Sequence, residues 1–299
     1  MKREYAFSER RACGLVIMAV STYRYETGRS DEPLRTRLVQ LAREKPRFGD
    51  RRLHVLLRRC GEQINHKRLH RIYREAGLMI RRRKREDCAQ VGPPLRSWSA
   101  ANQEWALDFA HDAVPCGRAI RVLSVVDAYT REGLALEVDT SFASRRVTRV
   151  LEAIVAERGQ PQAIRCDNGP ELTSRHFLAW CIERRQIELV HIQPGKPTQN
   201  ARVESFHGRL REECLTVSWF QNLFDARRKI EAWRTDHNEE RPHSSLECKT
   251  PKEFAEAQAA RFDTAVQEAS DSDAIPCPSR SPIPAQAGKG AEPSCRILT

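Results

Sequence analysis

The chain has 299 residues, 40% of them hydrophobic and 7% aromatic, with a net charge of +11 and a mean hydropathy of −0.63. No apolar run approaches the ~20 residues of a membrane-spanning helix, and the run at 15–20 is too short for a secretory core, which excludes an integral membrane helix and disfavours secretion. Residues 1–98 hold 25 Lys and Arg against 11 Asp and Glu, a net of +14, while the remainder holds 26 against 29, a net of −3. A basic first third beside a near-neutral remainder is the footprint of a polyanionic partner. Ten cysteines include no CxxC pair. Zinc-ribbon and dithiol readings therefore fail, and scattered thiols in a reducing cytoplasm fit better.

In chain order, the first 80 residues read as short helices. Ser8 is placed to cap the first. Residues 33–43 carry Leu34, Leu38 and Leu41 at helical spacing, with Pro33 in the first turn, where proline is tolerated. Residues 51–59 put Leu53, Leu56 and Leu57 on one face and arginines on the other. Residues 66–76 begin after Asn65 as a cap and close at Gly77. Short helices joined by tight turns fit helix-turn-helix DNA binding. The run Arg81, Arg82, Arg83, Lys84 and Arg85 opens a linker over 81–100. Such a run is usually a solvated segment, and here it has a second reading as a phosphate-tracking one.

From Glu104 the period changes. Strands are expected at 104–110, 121–129 and 134–138, a helix at 147–157 closed by Gly159, and a strand at 163–166. A helix at 176–185, a strand at 187–192 and helices at 200–214 and 225–238 follow. Three strands and then alternating helices and strands describe a mixed α/β sheet with helices on its faces, spanning 101–262. The Pro-, Ser-, Ala- and Gly-rich stretch 263–299 cannot bury enough apolar surface to order itself.

Three acidic residues stand in informative places. Asp108 lies inside an apolar strand, where a carboxylate is costly unless paired or metal-bound. Asp167 follows the strand at 163–166 and opens a turn with Asn168 and Gly169. Glu204 lies on a helix after a Pro/Gly-bounded loop. Each has a bland reading by itself: a strand residue with a salt bridge, a turn aspartate, an ordinary helix-surface glutamate. Taken together, they offer hard oxygen ligands for Mg²⁺ or Mn²⁺. Two such ions would clamp the attacking and leaving oxygens of a phosphodiester displacement, with water or a DNA 3′-hydroxyl as attacker. His111, Asp112 and Asp127 read as structural or supporting. His66 and His70, four residues apart, read as DNA-facing or packed surface, since no CxxC completes a zinc site.

These residues sit in stretches with a recognisable order. They are 46–53 (PRFGDRRL), 65–68 (NHKR), 105–109 (WALDF), 166–171 (CDNGPE), 193–200 (QPGKPTQN), 204–215 (ESFHGRLREECL) and 238–246 (NEERPHSSL). Over residues 8–256 the chain resembles the DDE transposase and retroviral integrase superfamily, and more narrowly the second-frame OrfB product of IS-three-type bacterial insertion sequences. The resemblance implies a ribonuclease H-like core after a helix-turn-helix region at 1–80. It implies Asp108, Asp167 and Glu204 as the metal-binding catalytic triad, with two Mg²⁺ or Mn²⁺ ions. Arg211, two helical turns after Glu204, then contacts DNA, as do Asn168 and Lys196 beside the site. Arg51, Arg52, Lys67, Arg68, Arg81, Arg82 and Arg83 are the expected contacts of the basic region.

The implied partners are terminal inverted repeats and target DNA, further copies of the chain assembled on DNA, and an upstream OrfA product as fusion or partner. The implied location is the bacterial cytoplasm at the nucleoid. The sequence also departs from the family pattern. One extra residue separates Asp167 from Glu204, falling around residues 184–186. Ile17 stands where a turn glycine is usual in the first helix-turn-helix, and His207 where asparagine is usual. A catalytically inactive, DNA-binding repressor from a decayed element is therefore the alternative. A nuclease on RNA–DNA hybrids rests on fold analogy alone.

Overall fold

The computed structural model describes residues 7–24, 30–80, 98–114, 117–193 and 200–272. Five short helices come first: α1 (Glu9–Leu15), α2 (Val20–Tyr23), α3 (Glu32–Glu44), α4 (Asp50–Arg59) and α5 (His66–Glu75). Ser8 caps α1 by accepting from the Arg11 N–H, and Asn65 caps α5 by accepting from the Lys67 N–H. Leu38, Leu53, Leu57, Leu69 and Ile72 are fully buried and form with Phe48 and Tyr73 a small core for α3, α4 and α5. In the turn after α1, Ile17 has φ +53 and is 96% exposed. The backbone thus takes the left-handed form that a glycine would adopt freely and a β-branched residue resists.

The sheet has five strands, β1 (Glu104–Ala113), β2 (Ala119–Asp127), β3 (Gly133–Asp139), β4 (Ala163–Cys166) and β5 (Glu188–His191), in the order β3-β2-β1-β4-β5. The first three pair antiparallel, and β4 and β5 join parallel. Helices α6 (Ser144–Arg158) and α7 (Arg175–Leu178) precede β4 and β5; α8 (Ala201–Leu210), α9 (Leu223–Glu239) and α10 (Pro251–Ser272) follow. This is the expected ribonuclease H-like mixed sheet with flanking helices. The helix expected at 176–185 is α only to Leu178 and π-helical over Ala179–Arg184, and that expected at 200–214 turns π-helical over Arg211–Leu215. No helix is expected where α10 lies, and it runs to Ser272, past residue 262.

Alternation along β1 divides the core in two. Trp105, Leu107 and Phe109 face a cluster with Val147, Leu151, Phe177 and Trp180 from α6 and the α7 region. Ala106 and Ala110 face the other cluster, with Val203, Phe206 and Leu210 from α8 and Ile230 and Trp233 from α9. Asp108 lies between those two alanines, so it points to the α8 side.

Residues up to Glu256 form one compact unit and the chain from Ala257 another. Within the first unit the helical region touches the sheet region through charge. Lys45 pairs with Asp236, Arg59 lies 2.6 Å from Glu253, and Arg52 lies 3.8 Å from Glu213. Phe48 is buried, with the guanidinium of Arg52 5.5 Å from its ring centroid and that of Arg241 5.7 Å.

Two predictions follow from backbone space. A Cβ on Gly133 would lie 2.9 Å from Phe206 Cζ. Gly133→Ala should therefore cost ~1–3 kcal/mol by overpacking, read as a lower urea midpoint with an unchanged slope. Ile17→Gly should relieve ~1–2 kcal/mol of left-handed strain, read as slower amide hydrogen exchange across α1.

Candidate active site

The α8 face of the sheet carries the acidic residues. Beyond the last paired rung of β1 and β4, Ala106 with Arg165, the same register puts Asp108 level with Asp167 on the neighbouring strand. Across β2, Asp108 faces Ser124, which is fully buried. α8 packs on both β1 and β2. Its Val203, Phe206 and Leu210 go into the core, which leaves Glu204 exposed on the flank nearer Asp108.

Glu204 and Asp108 are close enough to act on one another. Burial first, and then the Asp108 charge, push the Glu204 carboxyl above its ordinary range, while His207 pulls it back. One turn from Glu204, His207 places Nδ1 3.4 Å from Asp108 Oδ2 and Nε2 2.8 Å from Ser124 Oγ. Ser124, His207 and Asp108 thus form a chain running from the buried sheet face to the carboxylate. The other Asp108 oxygen accepts from the Phe109 N–H at 2.8 Å.

Asp167 fills the role of a turn aspartate as well as standing beside Asp108. Its Oδ1 accepts from the Gly169 N–H at 3.1 Å, and its carbonyl lies 3.3 Å from His191 Nδ1 on β5. The Asn168 side chain donates to the Ile192 carbonyl at 2.9 Å and braces the same turn. Burial, and then Asp167, push the neighbouring Cys166 thiol up to about 12, so it remains a thiol at neutral pH.

The donor set suits a hard divalent cation: oxygen ligands only, two of them on carboxylates whose mutual repulsion a cation would relieve. The structure brings Asp108 and Glu204 together and sets Asp167 on the adjoining strand. Among the described residues no three His, Cys, Asp or Glu groups converge at ligating distance.

The basic residues divide. Arg211 is exposed at the end of α8, and Arg51 and Lys67 are exposed on α4 and α5. Arg52 is turned toward Glu213 and Phe48. Arg68 donates to Asp31 at 2.8 and 2.5 Å, and Arg71 shares that carboxylate. Lys196, Arg81, Arg82 and Arg83 lie outside the described residues. His66 and His70 both meet the buried Asp50, at 3.1 and 2.9 Å, so they pack against a carboxylate. Asp127 is structural: its oxygens accept from the N–H groups of Asn102, Tyr129 and Thr130. Sequence reasoning missed the Ser124–His207 contacts. The signal was present, since His207 is three residues from Glu204 and Ser124 interrupts an apolar strand.

Models of three protein families match the chain: two described as Integrase core domain, over residues 99–197 and 185–251, and one described as HTH-like domain, over 30–86. A 31.7 kDa protein of insertion element IS407 from Burkholderia multivorans is 44% identical over 266 residues, covering 88% of this chain and 96% of its own. A 39.2 kDa protein of insertion element IS476 from Xanthomonas euvesicatoria is 43% identical over 252 residues, covering 83% and 72%. Among solved structures, the HTLV-2 integrase catalytic core domain in complex with magnesium gives a TM-score of 0.42 at 18% identity, over 52% of this chain and 97% of that one. With an HTH-like domain ahead of an integrase core, and an insertion-element relative matched over 96% of its length, the chain belongs to the transposase family of bacterial insertion sequences, in the OrfB group of IS-three-type elements.

Proposed function

We propose that this transposase binds the terminal repeats of its own element and catalyses divalent-metal-dependent DNA strand cleavage and transfer with Asp108, Asp167 and Glu204. The observation that carries the reading is the approach of Glu204 to Asp108 across the α8–sheet contact, with Asp167 on the next strand. A bound pair of Mg²⁺ or Mn²⁺ ions would supply charge neutralisation and an activated oxygen nucleophile. The three carboxylates would hold them, Asp108 from the middle of β1, Asp167 from the turn just past β4 and Glu204 from α8.

The chain's own residues do the rest. His207, steadied by Ser124, fixes the Asp108 carboxylate; Asn168 braces the Asp167 turn. Arg211, on the same side of the helix as Glu204, stands ready for a DNA phosphate. Arg51 and Lys67 offer free cations for phosphates of the repeat, whereas Arg52 and Arg68 would first have to leave Glu213 and Asp31. Assembly on paired DNA ends and joint action with an OrfA product belong to the same proposal.

Strand cleavage and joining on oligonucleotides copied from the flanking repeats, with Mg²⁺ or Mn²⁺, is the direct test. The wild type should yield metal-dependent products and Glu204→Gln none, with DNA affinity unchanged. Wild-type binding without products, even after addition of the OrfA product, would replace this reading with a decayed repressor.

A second readout does not depend on turnover. A carboxyl held above its ordinary range costs stability where it is ionised and nothing where both states are protonated. Metal-free Glu204→Gln should therefore melt above wild type at neutral pH, and the gain should vanish as the pH falls below the usual carboxylate range. Added Mn²⁺ should stabilise the wild type and leave the variant unmoved. His207→Ala should weaken Mn²⁺ binding and activity by ~10–100-fold, the usual penalty for losing a group that orients a ligand. Calorimetric titration with Mn²⁺ checks it, and an unchanged affinity would remove His207 from the site.

A further inference from the structure

α8 has a second polar flank. At ~100° per residue, Ser205, Arg209 and Arg202 lie ~100–160° around the helix from Glu204. They line a cavity of about 330 Å³ together with Arg131 from the β2–β3 turn and His237 and His243 from the C-terminal part of the sheet region. Among the described residues, no carboxylate makes a salt bridge with Arg131, Arg202 or Arg209, while Asp127 acts on Arg131 and Arg202, and Glu104 on Arg202, from farther off. Burial, and then Arg202 and Arg209, push the Arg131 guanidinium down to about 10. Burial, and then Arg241 and Arg52, do the same to Arg209. The acids that act on them are engaged elsewhere: Asp127 accepts three backbone N–H groups, Glu104 pairs with Arg165, and Glu213, which acts on Arg209, is shared by Arg241 and Arg52.

The buried walls also lack partners. Arg131 Nε, His237 Nδ1 and His243 Nε2 are buried with no hydrogen bond, on histidines that are 0% and 2% exposed. Burial pushes the His237 ring down to about 3 and lowers His243 too, so both are neutral at pH 7. His237 Nε2 lies 3.4 Å from the Arg131 carbonyl, which only accepts, so the proton sits on Nε2 and Nδ1 is an acceptor. His243 remains free to carry its proton on Nε2. Three guanidinium groups without a salt bridge, a hydroxyl and a neutral imidazole N–H around one cavity offer a donor set for an anion.

We propose that this cavity is a phosphate site, in which Arg131, Arg202 and Arg209 grip the oxygens of a phosphate group and Ser205 and His243 donate further hydrogen bonds. It lies across α8 from Glu204, so its phosphate is not the reacting one. A phosphodiester of bound DNA is the occupant that the proposed function supplies, and that choice of source rests on the proposed function. The chemistry of the site does not.

Thermal denaturation of the full chain in inorganic phosphate, against chloride at matched ionic strength, tests the site. At ten times its dissociation constant, phosphate should raise the wild-type midpoint by ~3 °C. The Arg202→Ala/Arg209→Ala double variant should lose that rise, and its own midpoint should not fall, because like charges have been removed. Should the double variant fail to fold, Arg131→Gly, which keeps the positive φ of that residue, reads the same loss. A wild type no more stable in phosphate than in chloride, or a variant that keeps the rise, overturns the proposal.

Salt-dependent DNA binding then separates the sources. A fall of ~1–2 in the slope of log affinity against log salt in the double variant identifies the DNA backbone. An unchanged slope with the phosphate rise lost identifies free phosphate and sustains the site. Neither arm reads strand transfer, so failure of the catalytic reading would leave both intact.

Discussion

The rotation of α8 about its own axis governs the chemistry of this protein. Val203, Phe206 and Leu210 are essentially fully buried and form one apolar stripe against the sheet. A stripe of that kind leaves a helix almost no freedom to turn. With it seated, Glu204, His207 and Arg211 fall on one flank and Ser205, Arg209 and Arg202 on the other. The first flank meets Asp108; the second meets the cavity under His237 and His243. Gly133 guards this arrangement from β3, since Phe206 rests where a Cβ would be. A small residue on an edge strand thus helps determine which way a catalytic candidate on another element points.

The second constraint is buried charge. Arg241 is 1% exposed, makes a bidentate pair with Glu213 and leaves Nη1 without a partner. Glu213 also draws in Arg52 from α4, so one carboxylate links the helical region, the end of α8 and the segment after α9. Removing a partner from such a group costs far more than the pair contributes, which makes Glu213 a structural acid. Glu104 with Arg165 and Glu132 with Arg158 are of the same kind. Buried acids are therefore plentiful here, and burial alone does not single out the catalytic candidates. Asp108 and Glu204 differ because they act on each other, with His207 beside them and, among the described residues, no salt bridge to a guanidinium.

Much of this was legible in the sequence. The strand at 163–166 has the bounds read from its apolar run, and the order of strands and helices follows from the change of period at Glu104. The left-handed turn at Ile17 was legible only through the resemblance, as a missing glycine. Other features were out of reach. Arginine is by default a surface residue, so nothing in the sequence said that Arg131, Arg202 and Arg209 line a cavity. Arg68 reads as a phosphate contact until Asp31, 37 residues away, is found against it. The reading of 238–246 as a family stretch was correct but carried no chemistry, because the burial of His237, Arg241 and His243 comes from contacts distant in sequence.

The extra residue between Asp167 and Glu204 need not disturb the site. A π turn adds one residue to a helix without breaking it, and Ala179–Arg184 is such a turn. Phe177, Trp180 and Cys181 still enter the core before and within it, and Ile187 is buried just after it. Gln186 absorbs the remaining change at φ +54. β5 then pairs with β4 over four consecutive rungs, from Ala163 with Glu188 to Cys166 with His191. The Asp167 turn is braced from this edge, through the Ile192 carbonyl and His191. The π turn and Gln186 thus lie between the Asp167 turn and the β5 edge that braces it, and the pairing of β5 is undisturbed. A departure that in sequence weighs toward decay has, in three dimensions, a structural solution that leaves the Asp167 turn and its braces intact.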